Sequence, residues 1–377
     1  MKFSLILLIS LFSSLAFSQE QSSAAPILAA KSYALYDYTS GQFLVEQNSS
    51  EHIPPASLTK LMTAYVVFGA IKQGKLSLTQ NIIPSAYATR TQTEESRMFL
   101  NAGKEVTVAE LLRGLIVQSA NDAARVLAET LANHEMALAD AMNSEAKRLG
   151  LKDTHFVNAT GMPDAQHYSS AHDLALLAAA LVRDFPELYY IYSQREYQYG
   201  GINQFNRNRL LWLDPFVDGL ATSYSDETDF SLVASAKRDQ RRLISVVIGT
   251  ETEKLRSSES QRLLNHGFQN FETIKLYSKE DSVSNKRIWK GTAKRLNIGF
   301  RSDRYITIPK GQRNALKATL ETKQPILAPI ARGQHMGTLH LTLNEAPYLD
   351  LTVEALDDVR LANVFSRGVD NIRLLFQ

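Results

Sequence analysis

The 377-residue chain has no cysteine. That absence excludes disulfides, thiol nucleophiles, cysteine-ligated zinc and iron–sulfur clusters together. An excess of one charge sign is also missing. Lys and Arg number 41 against 39 Asp and Glu, a formal +2, so there is no electrostatic footprint for DNA or RNA and no nucleic-acid partner is expected. Gly-x-x-x-x-Gly-Lys-Ser/Thr, Gly-x-Ser-x-Gly and His-Glu-x-x-His do not occur, which removes a phosphate cradle, a nucleophile elbow and a zincin helix. The eight histidines are scattered and read as surface or capping residues, so no metal and no cofactor is expected. What is present is ordinary globular protein: 44% hydrophobic and 21% charged residues. At roughly 150 residues per domain, two or three domains are expected.

Long apolar runs are confined to the N-terminus. Lys2 precedes an almost wholly apolar stretch at 3–17, and the small residues Ala16 and Ser18 stand two apart, as a signal-peptidase site requires. Residues 1–18 therefore read as a secretory signal peptide, and the rest as an exported chain without a membrane span. Further along, residues 32–38 and 42–46 flank a Ser40-Gly41 turn as a hairpin. A helix is expected at 57–73, ended by Gly74. Two or three packed helices follow within 107–149, then a helix near 171–183, a hairpin from 230–236 and 243–248, and a helix at 255–269. After Phe271 the pattern changes to short β-rich runs at 274–277, 305–308, 316–320, 337–343 and 348–353, the signature of a small all-β domain.

The final residues form a third feature. Leu361, Val364, Phe365, Val369, Ile372, Leu375 and Phe376 fall within an arc of roughly 140° at helical periodicity. Periodicity alone fits two arrangements equally: a helix docked on its own domain, and one lying in a membrane interface.

Two short patterns can carry chemistry. In Ser57-Leu58-Thr59-Lys60 the serine and lysine stand three apart, so on a helix they share a face. A serine needs a base to take its proton, and a lysine serves only when burial or a neighbouring cation keeps it neutral. Ser57 follows Pro54-Pro55-Ala56 and so sits at a helix start, where unpaired N–H groups favour a developing oxyanion. The same residues also fit an ordinary N-cap and a solvated lysine, and a second Ser-x-x-Lys occurs at Ser144–Lys147, in mid-helix. Ser119-Ala120-Asn121 interrupts the helical run. It fits either a helix junction or a hydroxyl and a carboxamide turned into a cleft.

Together, Ser-x-x-Lys and a Ser-x-Asn about 60 residues later resemble the low-molecular-mass penicillin-binding proteins, the serine-type D-alanyl-D-alanine carboxypeptidases. The segments PPASLTKLMTAYVVF, LLRGLIVQSANDAARVLAE, FNRNRLLW (205–212) and LVASAKRDQRRLISVVIGT (232–250) are similar to that family, and the likeness runs from Tyr33 to Gln377. It implies an α/β catalytic domain at 27–271, with an antiparallel sheet flanked by helices. A β-sandwich at 272–357 and an amphipathic anchoring helix at 358–377 on the periplasmic face of the inner membrane would follow. The implied reaction removes the terminal D-Ala of peptidoglycan pentapeptides. Ser57 would be the nucleophile, Lys60 its base, and Ser119, steered by Asn121, the proton relay; β-lactams would acylate Ser57.

The third family motif departs. After Val217-Asp218-Gly219-Leu220 the family carries Lys-Thr-Gly, whereas this chain has Ala221-Thr222-Ser223. The absent ammonium would bind the substrate carboxylate, and losing such a charged hydrogen bond implies roughly a 10- to 150-fold penalty. Ser223 adds a side chain, and the oxyanion donor expected at Tyr224 can shift with it. Thr222 keeps the motif's hydroxyl, and Arg256 matches an arginine that the family places near the substrate carboxylate. Two functions follow: a working but weakened carboxypeptidase, and a degenerate paralogue that binds peptidoglycan or a partner protein with little turnover.

Overall fold

A computed structural model describes residues 25–92 and 95–375; the expected signal peptide at 1–18 lies outside them. The first domain is built on a five-stranded antiparallel sheet in the order Gln42–Gln47, Ser32–Asp37, Arg241–Thr250, Asp229–Arg238, Val217–Ser225. The strand Arg241–Thr250 shows why both faces are covered. Ile244, Val246 and Ile248 point into the helical core, while the alternating Leu243 and Val247 pack with Leu263 and Leu264 of the helix Glu253–Asn270.

The other face carries the helices Lys60–Lys72, Val108–Val117, Asn121–Ala132, Glu135–Leu149 and Ala171–Asp184. Lys60–Lys72 is the central one. Leu61, Met62, Ala64, Tyr65, Val67 and Phe68 are all buried, so it is apolar nearly all round, as a helix enclosed by others must be. Thr107 and Glu110 form a reciprocal cap that starts Val108–Val117, and the chain then breaks at Gln118-Ser119-Ala120 before Asn121–Ala132. The predicted helix at 57–73 differs at its start: Ala56–Thr59 is a 3-10 turn, entered through Ala56 at φ +45°.

The second domain packs a six-stranded sheet against the two-stranded pair Phe271–Tyr277 and Arg304–Pro309, around Leu296, Ile298, Ile306, Ile308, Leu341 and Val353. Its strands Ser282–Trp289 and Arg295–Gly299 were not foreseen in the sequence. The domains meet at Asp37, which is wholly buried. Its Oδ2 accepts from Arg241 Nε at 2.7 Å within the first domain, and from Thr273 Oγ1 (2.7 Å) and Thr307 Oγ1 (2.9 Å) of the second.

The terminal helix is shorter than expected. Val359 and Leu361 still bridge to the β domain, and the helix spans Val364–Leu374. It docks through a polar residue. Asp370 is 3% exposed and accepts from the Lys290 N–H at 2.7 Å, whereas Phe365 is 90% exposed, with Val364 and Ile372 also outward. The described part of the apolar arc, Val364, Phe365, Val369, Ile372 and Leu375, therefore faces away from its own domain; Phe376 lies outside the described residues.

Candidate active site

The last strand of the sheet, Val217–Ser225, lies beside the turn Ala56–Thr59, and an open cleft of about 570 Å³ runs between them. Ser57, Ser119, Asn121, Thr222, Ser223, Tyr224 and Arg256 all line it. A narrower inner recess of about 20 Å³ is lined by Ser57, Lys60, Ser119, Arg207, Ala221 and Thr222, room for about one water. The structure thus brings the three sequence motifs to one place.

Lys60 is 4% exposed. Its Nζ donates to Ser57 Oγ at 3.1 Å and to Thr160 O at 2.8 Å. Burial, helped by the charges of Arg207 and Arg125, lowers its pKa to about 7, against a smaller opposing pull from Glu95 and Glu135. Close to half of Lys60 is then neutral near pH 7, the state a general base requires. Ser119 sits at φ +59°, a left-handed conformation that is strained for a residue with a side chain; it turns the residue out of the helical run towards Ser57.

Asn121 behaves differently from the expectation that it steers Ser119. Its Nδ2 donates to Glu95 Oε2 at 2.8 Å and contacts Met162 Sδ at 3.7 Å. Arg256 is 5% exposed and already engaged: Nη1 donates to Ser223 O, Nη2 to Arg207 O and to Glu253 Oε1. It braces the edge strand from behind. Thr222 and Ser223 are buried. The Tyr224 ring is exposed, packs 4.6 Å from Phe230, and donates its hydroxyl to Asp226.

Sequence reasoning missed two residues. Arg207 lines both the recess and the cleft, and among the described residues only its Nε is taken up, by Gln118 O at 3.1 Å. Its neighbours fix it. Asn206 Nδ2 donates to Gln194 O (2.9 Å) and Asn208 Nδ2 to Gly219 O (2.9 Å), pinning the loop to the edge strand. The signal was an arginine between two asparagines in FNRNRLLW. The second is His167, read as a surface or capping residue but only 3% exposed. Its Nδ1 accepts from the Val157 N–H at 3.1 Å, so its Nε2 carries the proton and donates to Thr59 Oγ1 at 2.8 Å. Burial lowers its pKa to about 4, so the ring is neutral at neutral pH and holds the turn Ala56–Thr59 through Thr59.

Known proteins share this architecture. The D-alanyl-D-alanine carboxypeptidase family profile matches residues 19–252, and that of the penicillin-binding protein 5 C-terminal domain matches 271–360. D-alanyl-D-alanine carboxypeptidase DacC of Escherichia coli (strain K12) is 38% identical over 372 residues, 97% of this chain and 93% of the relative. The crystal structure of penicillin binding protein 5 from Haemophilus influenzae superposes with a TM-score of 0.86 at 39% identity, covering 89% of this chain and 99% of that one. Penicillin-binding protein D2 from Listeria monocytogenes, in an ampicillin-bound form, gives 0.59 at 29% identity, covering 65% of this chain and 100% of that one.

Proposed function

The chain belongs to the D-alanyl-D-alanine carboxypeptidase family, and from that premise we propose that it removes the terminal D-Ala of peptidoglycan pentapeptides with Ser57 as nucleophile. The supporting observation is the 3.1 Å contact between the Ser57 hydroxyl and a buried amine whose pKa is lowered to about 7. Neutral Lys60 takes the Ser57 proton as Oγ attacks the carbonyl between the two D-Ala residues. The C–N bond breaks, Ser119 passes a proton to the leaving amine, and D-Ala departs. Water then cleaves the acyl-serine. A β-lactam carries a carbonyl of the same kind and acylates Ser57.

At the far end of the cleft Ala221 offers a methyl group, and Arg256 is committed to Ser223 O and Glu253. The substrate carboxylate therefore falls to Arg207 and the Thr222 hydroxyl, the cation and donor that border the recess beside Ser57. The loss of Lys-Thr-Gly favours a second reading, a peptide-binding paralogue with little turnover. A fluorescent penicillin and a D-Ala release assay separate the two. Covalent label at Ser57, absent in Ser57→Ala, together with D-Ala release, is the expected result. Neither label nor release at equal fold stability would sink the enzymatic reading.

Among the described residues no helix is long and apolar enough to cross a membrane. The outward apolar face of Val364–Leu374 supports peripheral attachment to the periplasmic face of the inner membrane after export. Deleting residues 361–377 is expected to release the protein from liposomes; continued co-sedimentation refutes the attachment.

A further inference from the structure

Lys60 is anchored by a backbone carbonyl, a group that no side-chain motif encodes. Its Nζ donates to Thr160 O at 2.8 Å, closer than to Ser57 Oγ at 3.1 Å. Three residues on, Thr63 Oγ1 donates to Ala159 O at 2.7 Å. Lys60 and Thr63 share one face of the helix Lys60–Lys72, and that face takes two successive carbonyls of the loop. The chain must turn sharply to offer both.

Asn158 makes that turn. Its Oδ1 accepts from the backbone N–H groups of Thr160 (3.2 Å), Gly161 (2.7 Å) and Met162 (3.2 Å), and from the Thr160 hydroxyl (3.1 Å). Its Nδ2 donates to Met162 O at 3.0 Å. An asparagine that gathers N–H groups two and more residues ahead stands in for a backbone turn. One side chain thus clamps the loop from Thr160 to Met162. The clamped loop is pressed onto the turn that carries the nucleophile. Gly161 sits at φ +85°, and a Cβ there would collide with Ala56 O, one residue before Ser57. Thr160, Gly161 and Met162 line the cleft, whereas Asn158 is half-buried and does not.

A carbonyl oxygen only accepts. A neutral amine has two N–H bonds and one lone pair, so its contact with Thr160 O commits an N–H. The orientation that would waste the lone pair on the carbonyl is excluded, and the lone pair stays available to take the Ser57 proton. We propose that Asn158 is a positioning residue: by closing the turn Asn158–Met162 it fixes Thr160 O, which tethers one N–H of Lys60 and keeps the amine lone pair free for Ser57. Asn158 works through that carbonyl and not by contact with the substrate. The inference rests on the acyl-serine reading above and adds to it the residue that sets the base.

The test is the second-order rate of acylation by a fluorescent penicillin, followed along the acid limb and onto the plateau where Lys60 is neutral. Asn158→Ala is expected to lose about 5- to 10-fold on the plateau, the worth of one hydrogen bond. Its acid limb is expected about 0.5–1 pH unit lower, since an ammonium gains more from a carbonyl than an amine does. The charges that act on Lys60, those of Arg207, Arg125, Glu95 and Glu135, are unaltered, so the displacement reads the carbonyl. Asn158→Asp keeps an oxygen for the same N–H groups and is expected to stay within about 3-fold of wild type on the plateau. Asn143→Ala controls for general loosening, because Asn143 ties the same segment through two 2.8 Å bonds to Phe156. It is expected to lower the melting temperature and to leave rate and limb as in wild type. Should Asn158→Ala not fold, Asn158→Ser, with one shorter acceptor, carries the same two expectations. The inference falls if the Asn158→Ala limb stays in place or moves up. It falls equally if Asn158→Asp or Asn143→Ala loses as much as Asn158→Ala. Failure of the wild type to acylate at all would instead sink the underlying reading.

Discussion

At one end of the cleft a buried lysine amine stands 3.1 Å from a serine hydroxyl and 2.8 Å from a backbone carbonyl, beside a recess with room for about one water. At the other end a half-buried alanine occupies the place where the family carries an ammonium. The first end depends on distances set by a 3-10 turn and the first residue of the helix that follows it. The second, as proposed, depends on a cation from a different segment, Arg207, held by Asn206, Asn208 and Gln118. In the proposed reaction, bond-making and carboxylate recognition are thus separable parts, the first keeping the residues that the resemblance implies and the second lacking its lysine. They are still coupled through charge: Arg207 is the largest of the neighbouring charges that lower the Lys60 pKa.

The sharpest way to break this contrast is a two-residue cycle. Arg207→Gln is expected to lower kcat/KM for a free-carboxylate peptide by about 10- to 100-fold, the value of a charge-assisted hydrogen bond, with a smaller loss on an amide-capped peptide. Ala221→Lys is expected to raise D-Ala release by about 10-fold, and by more in the Arg207→Gln background, where it restores the missing cation. An unchanged Arg207→Gln enzyme would show that the carboxylate is held by something else.

A smaller effect probes the coupling. With the neutral amine as the proposed base, acylation is expected to be lost as pH falls through about 7, the Lys60 value. The wild-type rate should drop about 10-fold between pH 8 and pH 6. Removing the Arg207 charge relieves pressure on the ammonium, so the limb should move to higher pH in Arg207→Gln. A stationary limb would mean that the two ends do not communicate electrostatically.

Legibility in the sequence follows the same division. Ser57 and Lys60 are three residues apart, and Ser119 breaks a helical run, so local spacing exposes both. Four of the five strands of the main sheet and its long helices were readable from their apolar patterns, whereas Val217–Ser225, the strand beside the cleft, was not read from its period. His167 was not: its bond to Thr59 spans 108 residues, and nothing local distinguishes a buried neutral histidine from a surface one. Glu95 and Arg125 look like solvated charges until the fold pairs them with each other and Glu95 with Asn121. Strand Ser282–Trp289 escaped because SVSNKRIW carries polar residues through its middle and buries fully only Ile288 and Trp289. The terminal arc was readable as amphipathic, but which way it faced depended on Asp370 reaching Lys290.

The buried Asp37 carries a mechanical consequence. One carboxylate oxygen is shared by an arginine of the catalytic sheet and two threonines of the β domain. Bending the joint would strip partners from an ion with no access to water, which is costly. The β domain therefore acts as a stiff strut rather than a tether. If its far end is fastened as proposed, the mouth of the cleft is carried at a set height, and the layer of polymer within its reach is decided by the length of that strut.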